Sequence, residues 1–249
     1  VTGDALFPAS DAQLPNIAFS VNGTATLESD QSWINIAQAA VTLEQGPVQF
    51  NDINVGLTTT DWELLVNDLD LASSAQLLME TDLIPDSVRE PLAAASISGT
   101  INALSLGGSL SGESIQRVAV DFDDVFVKED MPFPGVSGLS GSLMLSGATG
   151  QLQVNSRDLT LGIPTQYPDP MQLGNVNAVI EFDLTDDQIV IRNGRAKAQA
   201  DDFEAMSLLT GEIPFSPASD RSPMLNVVLG SGRAPASRAL AFTPMTIDP

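Results

Sequence analysis

The chain has 249 residues, of which 43% are hydrophobic and 17% charged, so it can fold as one large domain or two ordinary ones. It contains no histidine and no cysteine, which excludes histidine-based acid–base catalysis, thiol nucleophiles, disulfides and zinc sites built on these residues. The formal net charge of −22 would repel a nucleic-acid backbone, so no nucleic-acid partner is expected.

Alternation of apolar and polar residues dominates the chain. It is visible at residues 17–21, 143–145, 151–155 and 180–184. Strands of this kind have one apolar face and one solvent-exposed face, which is typical of antiparallel sheets. Glycine-containing segments at 146–150 and 192–195 interrupt the alternation and are predicted to be hairpin turns.

The alternation also changes parity at several points. Three short switches fall on pairs of Asx residues: Asn51-Asp52, Asn67-Asp68 and Asp123-Asp124. Longer switches lie between Val154 and Leu159 and between Leu184 and Ile189. A switch indicates either a hairpin or an extra residue in a continuous strand. The three short pairs lack the glycine that tight hairpins favour, so we predict β-bulges there, which would curl a sheet.

Residues 74–95 break the pattern and predict a short helical insertion. Ser74 is the predicted N-cap, and Leu77, Leu78, Val88 and Leu92 are expected to pack the insertion against the sheet. Prolines at 85 and 91 make one uninterrupted helix improbable, so the insertion consists of one or two short helices.

No catalytic, cofactor-binding or metal-binding residue is predicted, and no cofactor is expected. Carboxylates cluster at 121–124, 186–187 and 201–202, but none of these segments matches a twelve-residue calcium loop with its bidentate glutamate. A calcium site and a carboxylate-based hydrolase are therefore minor alternatives, and acidic turn residues are the simpler interpretation.

Several motifs resemble the central region of YhdP-like proteins in the AsmA-like superfamily. The first is MPFPGVSGLSGSL at 131–143, followed by GQLQV at 150–154. Upstream, LIPDSVREPL at 83–92 is followed by SGTINAL at 98–104, and a strand, Asn-Gly, strand pattern lies at 189–200. The resemblance is strongest over residues 60–215.

This resemblance implies a mostly β fold, a curled antiparallel sheet forming an extended groove with a short helical insertion. It implies a single periplasmic segment over residues 1–249 of a longer envelope protein of Gram-negative bacteria. Such proteins are anchored in the inner membrane by a helix, which we expect to lie outside this chain together with any membrane contact. The implied function is non-enzymatic: the groove binds phospholipid acyl chains and conducts them toward the outer membrane.

The apolar face of the strands supplies the candidate lipid-groove residues. These are Phe19, Val21, Val120, Phe122, Leu143, Leu145, Leu152, Val154, Ile180, Phe182, Ile189 and Ile191. One-sided strands suit an open groove, but they also suit the core of a β-sandwich or barrel. The alternative function is therefore a structural or adhesive β-sandwich domain of a secreted acidic protein, with or without bound calcium. The oligomeric state is left open.

Overall fold

The computed structural model describes residues 2–3, 18–28, 30–43, 46–80, 96–111, 115–128, 135–163, 167, 169–185, 187–214 and 224–233. The chain divides into two compact units, Val1–Val120 and Asp121–Pro249, termed unit 1 and unit 2 below.

Long strands dominate both units. In unit 1 they are β1 (Thr2–Gly3), β2 (Ala18–Leu27), β3 (Gln31–Leu43), β4 (Gly46–Thr58), β5 (Asp61–Asp70) and β6 (Ile97–Ser109), with helix α1 (Leu71–Glu80) between β5 and β6. Strand β7 (Ile115–Val127) runs across the boundary between the units. Unit 2 continues with β8 (Gly135–Ser146), β9 (Thr149–Gly162), β10 (Met171–Leu184), β11 (Gln188–Ala200), β12 (Phe203–Pro214) and β13 (Met224–Arg233).

Strand order in the sheet is the order of the chain, from β1 to β13. The strand pairs whose register is defined are all antiparallel. The predicted fold class, mostly β and antiparallel with one short helical insertion, is confirmed. The described strands belong to one sheet, so the two facing sheets of the sandwich alternative are not what these strands form.

Short polar turns join neighbouring strands at a segment predicted to be a turn and at a parity switch where a hairpin was one of two possibilities. The turn after β8 contains Gly147 at φ 56°, and Thr149 Oγ1 donates a hydrogen bond to the Ser146 carbonyl at 3.0 Å. The parity switch between Leu184 and Ile189 is also a hairpin turn, in which the Thr185 N–H donates to the Gln188 carbonyl at 2.9 Å.

The predicted bulges at the three Asx pairs are confirmed. The second residue of each pair lies inside a continuous strand in the left-handed region, with φ of 51° at Asp52, 54° at Asp68 and 49° at Asp124. Asp158 in β9 does the same at φ 58°, which explains the longer switch between Val154 and Leu159. Aspartate tolerates this conformation better than most residues with a side chain.

Each bulge keeps apolar side chains on one face while the numbering changes parity. Val66 and Leu69 flank Asp68 three residues apart and are both buried. Val154 and Leu159 flank Asp158 and are both buried as well. In a regular strand, residues an odd number of positions apart face opposite sides, so the extra residue is what brings these pairs together.

The left-handed residues of three neighbouring strands lie side by side in unit 2. Gly174 in β10 (φ 67°) pairs with Leu159, which follows Asp158, and a Cβ on Gly138 in β8 (φ 74°) would lie 3.3 Å from the Asp158 carbonyl oxygen. We call Gly138, Asp158 and Gly174 the bulge row. A small hydrophobic core of Val154, Leu159, Val176 and Ala178 lies against it.

Two serines connect β7, β8 and β9 near the bulge row. The Asp124 N–H donates to Ser140 Oγ at 3.0 Å, and the Ser140 hydroxyl donates to Oδ1 of Asp123 at 2.6 Å. The Ser140 N–H in turn donates to Ser156 Oγ at 2.8 Å, and the Ser156 hydroxyl donates back to the Ser140 carbonyl. Ser156 is 1% exposed, so these bonds replace water for a buried hydroxyl.

Two details of the sequence interpretation are wrong. Residues 192–195 do not form a hairpin turn: β11 runs through them, and a register shift between Ile191 and Gly194 marks a bulge. Gly194 is there because a side chain would collide with Leu209, whose Cβ would lie 2.9 Å from an added Cβ.

The helix begins earlier than predicted. Asp70, not Ser74, caps α1: Oδ1 of Asp70 accepts hydrogen bonds from the Ser73 N–H at 2.8 Å and the Ser73 hydroxyl at 2.6 Å. Residues 81–95, with Val88 and Leu92, and the side chains of Leu77 and Leu78 lie outside the described residues.

Changing the left-handed aspartate in β9 should expose the cost of its backbone conformation. Asp158→Val is expected to lower the free energy of unfolding by about 1–2 kcal/mol, because a β-branched residue tolerates positive φ poorly, whereas Asp158→Gly should lose little. Urea unfolding followed by circular dichroism measures both. Asn155→Val, at an exposed position of the same strand, is the control, and an equal loss there would contradict the explanation.

A second pair of variants distinguishes the two candidate helix caps. Asp70→Ala should destabilise unit 1 by about 1 kcal/mol, because two hydrogen bonds at the start of α1 lose their acceptor. Ser74→Ala should change stability by much less. If thermal unfolding shows a larger loss of stability for Ser74→Ala than for Asp70→Ala, then Ser74 is the cap.

Candidate functional site: the apolar face of unit 2

Cross-strand pairing in unit 2 aligns apolar residues into rows on one face of β8–β13. Directly paired residues of antiparallel strands share a face, so the register defines the rows without further assumption. The rows are Gly141–Val154–Ala178–Ala196–Ser207–Leu229, Leu143–Leu152–Ile180–Gly194–Leu209–Val227, Leu145–Gly150–Phe182–Ile191–Gly211–Leu225 and Leu184–Ile189–Ile213. Together they are called the apolar face, and the opposite side is the outer face.

Eight of the twelve candidate lipid-groove residues lie on the apolar face. They are Leu143, Leu145, Leu152, Val154, Ile180, Phe182, Ile189 and Ile191. Val120 and Phe122 are half-buried on β7, Val120 in unit 1 and Phe122 in unit 2. Phe19 and Val21 lie on β2, and their side chains are outside the described part of the chain.

Sequence reasoning missed the part of this face that β12 and β13 supply. Leu209, Leu225, Val227 and Leu229 complete its rows. Leu225, Val227 and Leu229 alternate as strand residues should, so the signal was present. Val228 stands where the alternation would place a polar residue, so the two-residue period is hard to see in the sequence.

The apolar face is partly open to solvent. Val154 and Ile191 are buried, and the other six candidates on this face are half-buried. On β13 the exposure rises, to 54% for Leu225 and 73% for Leu229. Half-buried apolar side chains on adjacent strands, next to exposed ones on β13, are typical of a surface that contacts an apolar ligand or partner.

The rows contain no charged residue, although the chain carries 42 of them. Charges of the same strands lie elsewhere: Arg192 pairs with Asp183 at 3.2 Å, and Lys197 pairs with Glu204 at 2.9 Å. Ser207 is the one residue in the rows with a polar side chain. The face can therefore bind apolar matter, but it offers no cation that would hold a phosphate.

Phe182 lies across a glycine in the neighbouring strand. A Cβ placed on Gly150 would lie within 2.5 Å of the Phe182 ring, so the ring rests directly on the backbone of β9. The pair occupies the row between Leu145 and Ile191. Glycine at 150 thus sets how far Phe182 rises from the sheet, and with it the depth of the apolar face at this row.

Metal binding and membrane spanning find no support among the described residues. No group of three or more Asp, Glu, His or Cys residues in these parts of the chain is placed to hold a metal ion. Likewise, none of the described helical structure is long and apolar enough to cross a membrane.

The contact between Phe182 and Gly150 can be tested with a double-mutant cycle. Gly150→Ala should cost about 1–3 kcal/mol of stability, because the added methyl displaces the ring. In a Phe182→Ala background the same change should cost almost nothing. Urea unfolding measures the cycle, and Gly230→Ala, with open space around its Cβ, is the control. Equal costs of Gly150→Ala in both backgrounds would contradict the contact.

Comparison with known proteins places the chain in a family. The family model described as YhdP protein matches residues 7–247, nearly the whole chain. No curated protein and no solved structure matches it. The matched family consists of membrane-anchored envelope proteins related to lipid transport and is not known for enzymatic activity. With this match over nearly its full length, the chain belongs to the YhdP family.

Proposed function

We propose that this chain binds phospholipid acyl chains on the apolar face of unit 2, as a non-enzymatic segment of a periplasmic bridge anchored in the inner membrane. Passage of the bound chains along this face toward the outer membrane is part of the proposal. The observation that carries it is the charge-free, partly exposed face that six consecutive strands build in a chain of net charge −22.

Acyl chains match this face chemically. Each buried methylene contributes about 0.8 kcal/mol, so a chain of ordinary length binds well without directed hydrogen bonds. The half-buried side chains of Leu152, Ile180 and Phe182 provide contact area over two neighbouring strands. Because no cation lies on this face, the headgroup stays in water and discrimination between headgroups is weak.

These features also support the proposed passage of lipid along the sheet. Weak, repeated apolar contacts bind a chain without fixing it at one position, since hydrophobic attraction is non-directional. Within a row, neighbouring strands offer similar side chains about 4.8 Å apart. A lipid can therefore move from one strand to the next at little cost. The absence of histidine and cysteine removes the commonest catalytic groups and agrees with a non-enzymatic role.

Two neighbouring residues on opposite faces give a matched test. Leu145→Asp places a carboxylate on the apolar face, and Met144→Asp, at a 47% exposed position of the outer face, adds the same charge one residue away. We expect Leu145→Asp and Phe182→Asp to reduce phospholipid co-purification several-fold, because desolvating a carboxylate is costly, and Met144→Asp to leave it unchanged. Mass spectrometry of extracted lipid, normalised to folded protein, makes the measurement.

Circular dichroism melting identifies variants that lose the fold. If an Asp variant on the apolar face unfolds, a Leu145→Ser variant is measured in its place. A purified chain without phospholipid would refute the proposal. So would equal lipid content in the Leu145→Asp and Met144→Asp proteins.

A further inference from the structure

The outer face of unit 2 carries a depression that the acyl-chain proposal does not use. Two adjacent cross-strand rows supply its side chains, Asn155–Asn177–Lys197–Met206 and Gln153–Val179–Arg195–Leu208. The residues that lie between these rows along the strands also line it: Val154, Ala178, Ala196 and Ser207, whose side chains alternate to the apolar face. The cavity between them measures about 510 Å³. This volume lies within the range of small-ligand sites, roughly 300–1,000 Å³.

Two cations and no carboxylate line this depression. Arg195 and Lys197 are two residues apart on β11 and so project from the same face. Lys197 also contacts Glu204, but that ion pair is exposed, with side chains 46% and 41% accessible, and so holds the ammonium group only weakly. In a chain with 32 acidic and 10 basic residues, a depression lined by two cations attracts anions where most of the surface repels them.

Large apolar side chains stand beside these cations and remain in water. Val179 is 42% exposed, Leu208 54% and Met206 58%. The polar side chains that line the depression on β9 and β10 are amides: Gln153, Asn155 and Asn177. Val179 on β10 and Leu208 on β12 both pair with Arg195, so apolar side chains flank the cation from two strands. A ligand with both an anionic and an apolar part would contact both kinds of side chain there.

We propose that this depression binds a single anionic amphiphile. Its phosphate-like headgroup contacts Arg195 and Lys197, and its apolar chain covers Val179, Met206 and Leu208. The site lies on the face opposite the acyl-chain rows, so it is separate from the function proposed above. It supplies what the apolar face lacks, which is discrimination by headgroup charge.

The local charges decide binding here, in spite of the acidic chain. At physiological ionic strength the Debye length is about 8 Å, so carboxylates farther away are largely screened. The guanidinium group of Arg195 can hold a phosphate through two parallel N–H···O bonds, and Lys197 adds a point charge. Amide side chains at 153, 155 and 177 can donate to remaining oxygens.

Short-chain lipids below their micelle concentration test the proposal. Titration calorimetry should show that dihexanoyl phosphatidylglycerol binds more tightly than dihexanoyl phosphatidylcholine, and that inorganic phosphate binds much more weakly than either. Arg195→Gln with Lys197→Gln should weaken phosphatidylglycerol binding at least tenfold and leave phosphatidylcholine binding unchanged. Met206→Ser with Leu208→Ser should weaken phosphatidylglycerol binding without lowering the melting temperature, since both residues are exposed.

Matched variants separate this site from the apolar face. Arg117→Gln with Lys128→Gln removes the same charge from exposed positions elsewhere and should change nothing. Leu145→Asp should abolish phosphatidylcholine binding but keep the part of phosphatidylglycerol binding that depends on Arg195. If Leu145→Asp removes all binding of both lipids, the outer site is refuted while the acyl-chain proposal stands.

Other outcomes also overturn the outer site. Equal affinities for the two lipids would remove its charge selectivity. Phosphate binding as tight as that of phosphatidylglycerol would make it a site for a free anion and not for an amphiphile. Dimerisation that Met206→Ser with Leu208→Ser abolishes, without lipid binding, would assign the patch to a second copy of the chain.

Discussion

Successive side chains of a regular β-strand lie on opposite faces of the sheet. Long strands of this chain nevertheless bury apolar residues an odd number of positions apart, because one residue between them departs from regular strand geometry. Val66 and Leu69 are both buried although three residues separate them, and Val154 and Leu159 are both buried five apart. An aspartate in left-handed conformation between the members of each pair makes this possible. The burial of these apolar pairs therefore depends on a few backbone positions that contribute no apolar surface themselves.

The same constraint explains why so much of the fold could be predicted from the sequence. Alternation predicts the strands, and a change of parity predicts the bulges, because both follow from backbone geometry that is local to a few residues. Eight of the candidate residues consequently lie together on one face of unit 2. The bulge at 192–193 was not predictable in this way, because Asn193-Gly194 is also a strong hairpin signal. The strand continues there because β10 and β12 pair with β11 on both sides of Gly194, and this long-range pairing is not encoded in the segment itself.

The predicted start of the helix was wrong for a different reason. Strand β5 passes directly into α1 at Asp70 and Leu71, with no polar loop between them. Leu69 and Leu71 continue the strand alternation, so the sequence offers no visible end to β5, and Ser74 satisfies the same capping rule as Asp70. The exposed depression on the outer face was equally invisible, since it combines residues of four strands. Their proximity depends on register, which no single segment encodes.

The meander has a kinetic consequence. Because each strand pairs with the strands next to it in the chain, the contacts between strands join neighbouring segments of the chain and not its distant parts. Such a chain can acquire its structure one hairpin at a time, each closing a short loop at small entropic cost. Unfolding can proceed in the reverse direction from the end strands, so that stability is a sum of neighbour terms. A sheet of this kind tolerates the gain or loss of hairpins during evolution, so its length can change while its architecture stays the same.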